Sequence, residues 1–302
     1  MECAVSILIP THDHGPLVGL AIESALAQTV ENLEVLVVGD GVPEITREVV
    51  GELAVRDPRV RFFDLPKGPR RGELNRHAVL RAHGQGEAIL YLSDDDLLFP
   101  DHAERMLEAL HDADFVSATA LFGQPDGSLK LIATDARHPW VRRYADHLEG
   151  GLGIGLSQAG HTAESYAGLP EGWRTTPGSL PTDQYMWQQF LADQRVRVGR
   201  TGRPTVLTLP SPIRSAWPLE RRLEEMRGWW ARLSDERART ALLDEAWEAA
   251  IVWGTAQTAK RRREQERISH LRARLTASQV KLNQAREWRR RATRSRRFTL
   301  PW

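Results

Sequence analysis

Apolar and polar positions alternate along the first third of the chain in blocks of two kinds. Short runs rich in Val, Ile and Leu are bounded by Gly, Pro and Asp, which is typical of buried strands. Between them, apolar residues recur every three or four positions, which indicates amphipathic helices. The predicted strands are 4–9, 33–38, 60–65 and 88–92, and the predicted helices are 17–27, 45–55 and 73–82.

This order of elements predicts an α/β fold. Strands that alternate with helices through short connections form an open, mainly parallel sheet with right-handed crossovers. Such architectures commonly bind nucleotides. The first strand is not followed by Gly-x-Gly-x-x-Gly, and the chain contains no Gly-Lys-Ser/Thr phosphate loop, so neither a dinucleotide site nor a P-loop is supported.

The second half of the chain is less regular. Two strands, 114–122 and 129–133, flank a Pro-Asp-Gly turn, and residues 150–181 are rich in glycine and predict a loop. A helix is predicted at 184–192, and the pattern is helical from Pro218 almost to the end. We therefore predict a catalytic domain over residues 1–215 and a helical extension over residues 216–302.

Charge separates the two predicted parts more clearly than hydropathy does. Residues 255–302 contain 15 Lys and Arg against 3 Glu, a net charge of +12, whereas the rest carries 26 basic and 37 acidic residues, a net charge of −11. The one cysteine, Cys3, excludes an internal disulfide and fits a reducing compartment. No apolar run approaches membrane-spanning length and no signal pattern is present, so we expect a cytoplasmic protein with at most peripheral membrane contact.

Three adjacent carboxylates, Asp94, Asp95 and Asp96, follow the fourth predicted strand directly. They repel one another and are costly to desolvate, so they require a cation, a partner or full exposure. The end of a strand in an α/β sheet is where such folds place ligands, and hard divalent cations prefer oxygen ligands. The alternative is a solvated loop that caps a helix starting near Pro100.

Three motifs in this order resemble family 2 glycosyltransferases of the GT-A fold, a Rossmann-like, mainly parallel sheet flanked by helices. The motifs are Val5-Ser-Ile-Leu-Ile-Pro-Thr-His12, Val37-Val-Gly-Asp-Gly41 and Tyr91-Leu-Ser-Asp-Asp-Asp-Leu-Leu-Phe-Pro100. The resemblance covers roughly residues 4–190. It implies transfer of a sugar from a nucleoside diphosphate, typically a UDP-sugar, to an acceptor with inversion at the anomeric carbon.

The resemblance also assigns roles to individual residues. It implies that Asp40 binds the base and that Asp95 is the ligand of Mn²⁺ or Mg²⁺. Asp96 enters the metal motif if the motif is aligned one residue later; otherwise we expect it to be an acid that leads into the next helix. The residues it implies for the rest of the nucleotide-sugar site are Pro10, Thr11, His12, Ser93 and Asp94. A glycine-flanked aspartate at a strand end, such as Asp40, is expected to have little structural purpose.

The catalytic base of this family is an acidic residue just ahead of a helix in the acceptor half. Here that context is Pro-Thr-Asp-Gln at 181–184, so the resemblance implies Asp183, although Thr182 replaces the usual Glu. A single carboxylate suffices as general base for an inverting transfer. The alternative role of Asp183 is that of a helix N-cap. The processive signature Gln-x-x-Arg-Trp is missing, so one sugar per encounter is expected.

Other side chains carry weaker signals that leave two readings open. Arg70 and Arg71 could contact a diphosphate through charge-assisted hydrogen bonds, or they could lie in a solvated loop. His161 could face the acceptor or the metal, or it could make a structural hydrogen bond. Trp173 and Trp187 could stack on a sugar, or they could pack in the core.

The basic C-terminal segment carries a short heptad-like stripe of apolar residues, Ile268, Leu271, Leu275 and Leu282. It could pair with a second protomer, pack on the catalytic domain, or bind anionic lipid headgroups; nucleic acid is the less economical partner. Its end, residues 295–302, loosely resembles tails of bacterial surface-polysaccharide glycosyltransferases. A saccharide or lipid-linked acceptor is therefore expected.

Two alternatives to the transferase remain open at this point. A nucleotidyltransferase also uses clustered carboxylates and metals, but the loop after the first strand lacks its Gly-rich signature. A glycosyltransferase-like scaffold without catalysis, joined to a basic tail, is compatible with Ser93 and Thr182, which stand where the family often has acids.

Overall fold

The computed structural model describes residues 3–132, 134–139, 141–142, 153–178 and 180–295. The strands are β1 (Val5–Thr11), β2 (Leu33–Asp40), β3 (Val60–Leu65), β4 (Ala88–Tyr91), β5 (Leu97–Leu98), β6 (Phe115–Gly123), β7 (Leu129–Ile132), β8 (Ala159–Thr162) and β9 (Val198–Thr208). The helices are α1 (Leu17–Leu26), α2 (Glu44–Arg56), α3 (Glu73–His83), α4 (His102–Leu110), α5 (Ala163–Ala167), α6 (Thr182–Ala192), α7 (Leu219–Ser234) and α8 (Glu236–Ser295).

The described strands form one mixed sheet in the order β3-β2-β1-β4-β8-β6-β9-β5, with β7 paired to β6. Strands β3, β2, β1 and β4 are parallel, and Val5 of β1 lies between Leu33 and Ala88. Strand β8 runs antiparallel to both β4 and β6. The prediction of a mainly parallel α/β sheet with a helical C-terminal part is therefore confirmed.

The sheet is covered on both faces, which explains why its parallel strands are apolar throughout. Successive residues of β1 point to opposite sides: Ile7 and Ile9 belong to one core, and Leu8 belongs to the other. The first core lies against α1, α2, α4 and α7. The second contains the aromatic side chains Tyr91, Trp173, Trp187 and Phe190.

Two predictions about the second half are wrong. The stretch 150–181, predicted as loop, contains β8 and the short helix α5, and the eleven-residue strand β9 was not predicted at all. Strand β8 has the sequence Ala-Gly-His-Thr, which carries no strand pattern of its own. It becomes a strand because β4 and β6 offer backbone groups on both sides.

The chain forms two compact units, Met1–Ala249 and Ala250–Trp302. This division differs from the predicted boundary at residue 215, because Met226, Trp229 and Leu233 of α7 are buried in the first core. Leu242 and Ala246, from the start of α8, join the same core. In the second unit, Ile268, Leu271 and other apolar side chains of α8 are about half exposed. Within the described ranges, no helix has the length and apolar character that a membrane span requires.

Candidate functional site

A cavity of about 1130 Å³ opens at the carboxyl ends of β1, β2 and β4. Parallel strands end at the same edge of a sheet, so residues far apart in the sequence meet there. All the residues that the sequence assigned to the site line this one cavity: Pro10, Thr11, His12, Asp40, Arg71, Ser93, Asp94, Asp95 and Asp183. The structure thus brings the nucleotide, metal and base candidates together.

Asp40 ends β2 and is almost fully buried. Its Oδ1 accepts hydrogen bonds from the backbone N–H of Gly68, at 2.6 Å, and from Asn75 Nδ2, at 2.9 Å. Its Oδ2 accepts one from Lys67 Nζ. The view that this aspartate has little structural purpose is therefore wrong, since it anchors the loop between β3 and α3.

Gly72 allows this loop to pass directly over Asp40. It has a φ of +70°, which favours glycine, and a Cβ built on it would lie 2.5 Å from Asp40 Cγ. Arg70 also has a positive φ of 56°. The arginines at 70 and 71 therefore lie on a loop that is tied to the floor of the cavity, and both line it.

The acidic residues after β4 are engaged by side chains from three parts of the chain. Asp94 Oδ1 lies 2.6 Å from His14 Nδ1 in the loop after β1. Asp95 Oδ1 accepts a hydrogen bond from Ser93 Oγ at 2.8 Å, and its Oδ2 accepts hydrogen bonds from Ser211 Oγ and, at 3.0 Å, from Arg222 Nη2.

These contacts also form a donor set for a metal ion. One ligand atom each of His14, Asp94 and Asp95 lies within 4.8 Å of the others. Carboxylate oxygens suit Mn²⁺ and Mg²⁺, so the residues present fit such an ion. Burial lowers the pKa of His14, but the hydrogen bond and the charge of Asp94 outweigh it and raise this pKa to about 9. Metal binding through this imidazole would release its proton.

Asp96 is not the helix-leading acid that we predicted. Its Oδ2 accepts a hydrogen bond from Ser157 Oγ at 2.6 Å, and its Oδ1 accepts one from the backbone N–H of Leu209 at 2.8 Å. Burial, followed by the charge of Asp95, raises its pKa. Asp96 therefore joins β4 to two distant segments beneath the cavity, and Asp101, not Asp96, precedes α4.

Asp183 lies in the first turn of α6, which begins at Thr182 and not at the predicted residue 184. The preceding Pro181 is the N-cap residue, so Asp183 is not the cap; its Oδ1 accepts a hydrogen bond from the N–H of Gln184 at 2.8 Å. Burial raises the pKa of Asp183, and the positive charges of Arg76 and Arg71 partly offset this rise.

Arg76, on α3, is a site residue that the sequence reasoning missed. It lines the cavity although only 7% of the residue is exposed. Its Nη2 donates to the backbone oxygen of Arg71 at 2.8 Å, its guanidinium lies 4.9 Å from the ring centre of Trp173, and its Nε has no partner among the described residues. Burial lowers its pKa, and the negative charges of Glu73 and Asp183 partly oppose this shift.

His161 and the two tryptophans are structural. His161 is fully buried, with Nε2 2.7 Å from the hydroxyl of Tyr91 and Nδ1 3.1 Å from the backbone oxygen of Thr162. Trp173 donates to the same hydroxyl at 3.1 Å, and Trp187 packs against the ring of Tyr91. None of the three lines the cavity.

Local sequence patterns carry little signal for the other missed residues. His14 lies in the loop after β1, in the run His12-Asp13-His14, and this short cluster of possible metal ligands is its local signal. Ser211 and Arg222 reach Asp95 from 116 and 127 residues further along the chain. Such distant partners follow no local pattern.

Residues 6–154 match the sequence profile of glycosyl transferase family 2. Chondroitin synthase from Pasteurella multocida is 37% identical over 128 residues, which cover 41% of this chain and 13% of the synthase. An uncharacterized glycosyltransferase from Rickettsia felis is 31% identical over 140 residues, covering 45% of this chain and 23% of that protein. The chain therefore spans less than a quarter of the length of these relatives.

Two solved structures share the fold. The mannosyltransferase PcManGT from Pyrobaculum calidifontis, in complex with GDP-Man and Mn²⁺, superimposes with a TM-score of 0.50 at 18% identity, covering 72% of this chain and 60% of that one. TarS 1–349 from S. aureus, in complex with UDP, gives a TM-score of 0.52 at 14% identity and covers 76% and 64%. Residues 6–154 are thus similar to family 2 glycosyltransferases, and the fold is GT-A.

Proposed function

We propose that this protein is a metal-dependent, inverting glycosyltransferase that moves one sugar from a nucleoside diphosphate to an acceptor hydroxyl. The observation that carries the proposal is the shared cavity. It gathers Asp40, the pair Asp94 and Asp95, and Asp183, which are the three acidic sites that the reaction requires. The similarity of residues 6–154 to family 2 agrees with it.

The donor is proposed to be a UDP-sugar whose base lies near Asp40 and whose ribose lies near Pro10, Thr11 and His12. The hydroxyl of Thr11 supports a ligand there, because it is buried beside the cavity and has no hydrogen-bond partner among the described residues. A related structure of TarS contains UDP-GlcNAc, and the mannosyltransferase contains GDP-Man. GDP-sugars must therefore be tested as donors beside UDP-sugars.

His14, Asp94 and Asp95 are proposed to hold Mn²⁺ or Mg²⁺. When bound, such an ion neutralises the charge that develops on a diphosphate leaving group. Ser93 contributes indirectly, because its hydroxyl orients Asp95. Arg71 supplies a positive charge at the cavity wall, on a loop that Asp40 fixes in place.

Asp183 is proposed to take the proton of the acceptor hydroxyl. A base must be ionised to do so, and the cations Arg76 and Arg71 favour the carboxylate against the effect of burial. Asp183 belongs to helix α6 and the acidic pair to the loop after β4, so the proposed base and leaving-group sites come from different elements that line one cavity.

The acceptor is proposed to be a saccharide or a lipid-linked saccharide that receives one sugar per encounter. The relatives named chondroitin synthase and hyaluronan synthase support the saccharide class. Trp187-Gln-Gln189 replaces the processive motif, and its tryptophan is buried in the aromatic core.

The experiment is a panel of UDP- and GDP-sugars with Mn²⁺ or Mg²⁺, assayed for binding, hydrolysis and transfer to oligosaccharides. The wild type is expected to bind at least one donor only with metal, and Asp95→Asn is expected to abolish this. Asp112→Asn is the matched control, because that carboxylate is 92% exposed and lies outside the cavity. Metal-dependent binding without transfer would favour the scaffold alternative, and release of pyrophosphate from a nucleoside triphosphate would favour a nucleotidyltransferase.

We also propose that the unit 250–302 holds the protein at the inner face of a membrane. It combines 15 basic and 3 acidic residues with exposed apolar side chains, including Trp253 and Trp288. Basic residues near an anionic bilayer contribute roughly 1 kcal/mol each. Pairing of two copies through Ile268 and Leu271 is the alternative, and residues 296–302 lie outside the described ranges.

Co-sedimentation with vesicles tests this second proposal. Binding to phosphatidylserine vesicles is expected to fall strongly when residues 255–302 are removed, and to weaken with added salt. Equal binding by the truncated and full-length proteins would contradict it, and a concentration-dependent mass in solution would support the pairing alternative.

A further inference from the structure

Arg222, on α7, occupies an unexpected position in the cavity region, because it lies against the proposed metal ligand. Its Nη2 donates to Asp95 Oδ2 at 3.0 Å and to Ser211 Oγ at 2.7 Å. Only 13% of its side chain is exposed, and 9% of that of Asp95. This is therefore a largely buried ion pair between the helical C-terminal part of the first unit and the acidic residues after β4.

Both carboxylate oxygens of Asp95 already have hydrogen-bond partners. Its Oδ1 accepts a hydrogen bond from the hydroxyl of Ser93, and its Oδ2 accepts hydrogen bonds from Arg222 and Ser211. A divalent cation held by Asp95 would compete with the guanidinium for this carboxylate. Arginine does not lose its proton in proteins, so its charge must move away from an arriving cation. Arg222 thus competes with a free metal ion for Asp95.

A guanidinium displaced in a buried region needs another anion, because an unpaired buried charge is costly. The reaction in the proposed function delivers one, the diphosphate of the donor. The planar guanidinium matches the geometry of phosphate oxygens and can bind two of them. Ser211, which already contacts Arg222, lines the cavity where the donor would lie.

We propose that Arg222 is a positioning residue that pairs with Asp95 in the free enzyme and transfers to the diphosphate of the donor when metal binds. This inference rests on the proposed function. It makes cation and nucleotide binding cooperative. The cation takes Asp95 away from Arg222, and the diphosphate takes Arg222 away from Asp95. Such coupling is reciprocal, so the nucleotide strengthens metal binding by the same factor as metal strengthens nucleotide binding.

The neighbouring Arg221 provides a matched control. It lies on the same helix and carries the same charge, but its guanidinium stacks 3.7 Å from the ring centre of Trp217 and lines a different groove. Loss of a positive charge from α7 is therefore common to Arg221→Gln and Arg222→Gln. Loss of the contact with Asp95 is specific to Arg222→Gln.

The test measures binding of Mn²⁺ alone by electron paramagnetic resonance, and of UDP and GDP with and without Mn²⁺ by calorimetry. For Arg222→Gln we expect Mn²⁺ alone to bind about tenfold more tightly, and the nucleotide with Mn²⁺ about tenfold more weakly, a change within the usual range of coupling. Arg221→Gln is expected to match the wild type. Arg222→Lys keeps the charge but not the planar fork, so it should leave Mn²⁺ binding weak and impair only nucleotide binding.

Unchanged or weaker Mn²⁺ binding by a folded Arg222→Gln variant would overturn the inference, as would coupling between metal and nucleotide that is as strong in this variant as in the wild type. If Arg222→Gln does not fold, Arg222→Lys decides the matter, because full nucleotide affinity in that variant contradicts a bidentate contact. Failure of wild type to bind either nucleotide would refute the proposed function and the diphosphate contact. The measurement with Mn²⁺ alone would still report whether Arg222 competes with the ion for Asp95.

Discussion

His161 provides the sharpest prediction about stability, because it is a fully buried and uncharged imidazole. It lies in β8 with its ring stacked on Tyr166 at a centroid distance of 5.2 Å. Burial lowers its pKa to about 4, although the hydrogen bond to the Thr162 backbone partly opposes the shift. The perturbation is His161→Gln, since a glutamine can accept from the hydroxyl of Tyr91 but does not titrate.

The direction and size of the change in stability with pH follow from the linkage between protonation and folding. An unfolded chain protonates this histidine near pH 6.5, whereas the folded chain resists protonation until about pH 4. The stability that the lowered pKa of His161 contributes is fully present above pH 6.5 and is lost as the pH falls from 6.5 to 4. At about 1.4 kcal/mol per pH unit, acidification from pH 7 to pH 5 costs about 2 kcal/mol through this residue alone.

Urea unfolding of wild type and His161→Gln at pH 8, 7, 6 and 5, followed by tryptophan fluorescence, measures the difference. Other titrating groups are common to both proteins and cancel. Between pH 7 and pH 5, the wild type should lose about 2 kcal/mol more free energy of unfolding than the variant does. His111→Gln, whose side chain is 85% exposed, should show no such trend. A gap that is constant with pH would refute the reasoning.

Three further changes address the cavity. Asp183→Asn should lower the rate of transfer by about 10²- to 10⁴-fold in steady-state assays while leaving donor affinity intact; weakened donor binding would contradict its role as base. Because burial raises the pKa of Asp183 and the charge of Arg76 lowers it, activity should rise with pH through this pKa, and Arg76→Met should move that limb of the pH–rate profile to higher pH. An unmoved profile would remove Arg76 from this role. Gly72→Ala and Gly127→Ala should each lower the free energy of unfolding by about 1–2 kcal/mol, because alanine disfavours a positive φ. Gly72→Ala should lose more than Gly127→Ala, because its Cβ would clash with Asp40. Equal losses in urea unfolding would show that the clash is relieved.

The sequence by itself determined the parallel half of the sheet and pointed to most of the acidic residues that line the cavity. Strands that are buried on both faces are continuous apolar runs, and turn residues mark where each strand ends. Asp40 and Asp95 stand near the ends of such strands, and the resemblance to the family motifs supplied their expected roles. The motif order supplied the family, because three local patterns at fixed spacing are read without knowledge of contacts.

Tertiary structure decided whatever depends on a distant partner. Strand β8 exists because two neighbours pair with it, and Asp96 is buried because Ser157 and Leu209 bind it. The ion pair of Arg222 with Asp95 joins residues 127 positions apart. Hydrogen bonds and ion pairs act over a few ångströms in space and leave no trace in local periodicity. The strands could therefore be predicted from the sequence, whereas the partners of each carboxylate could not.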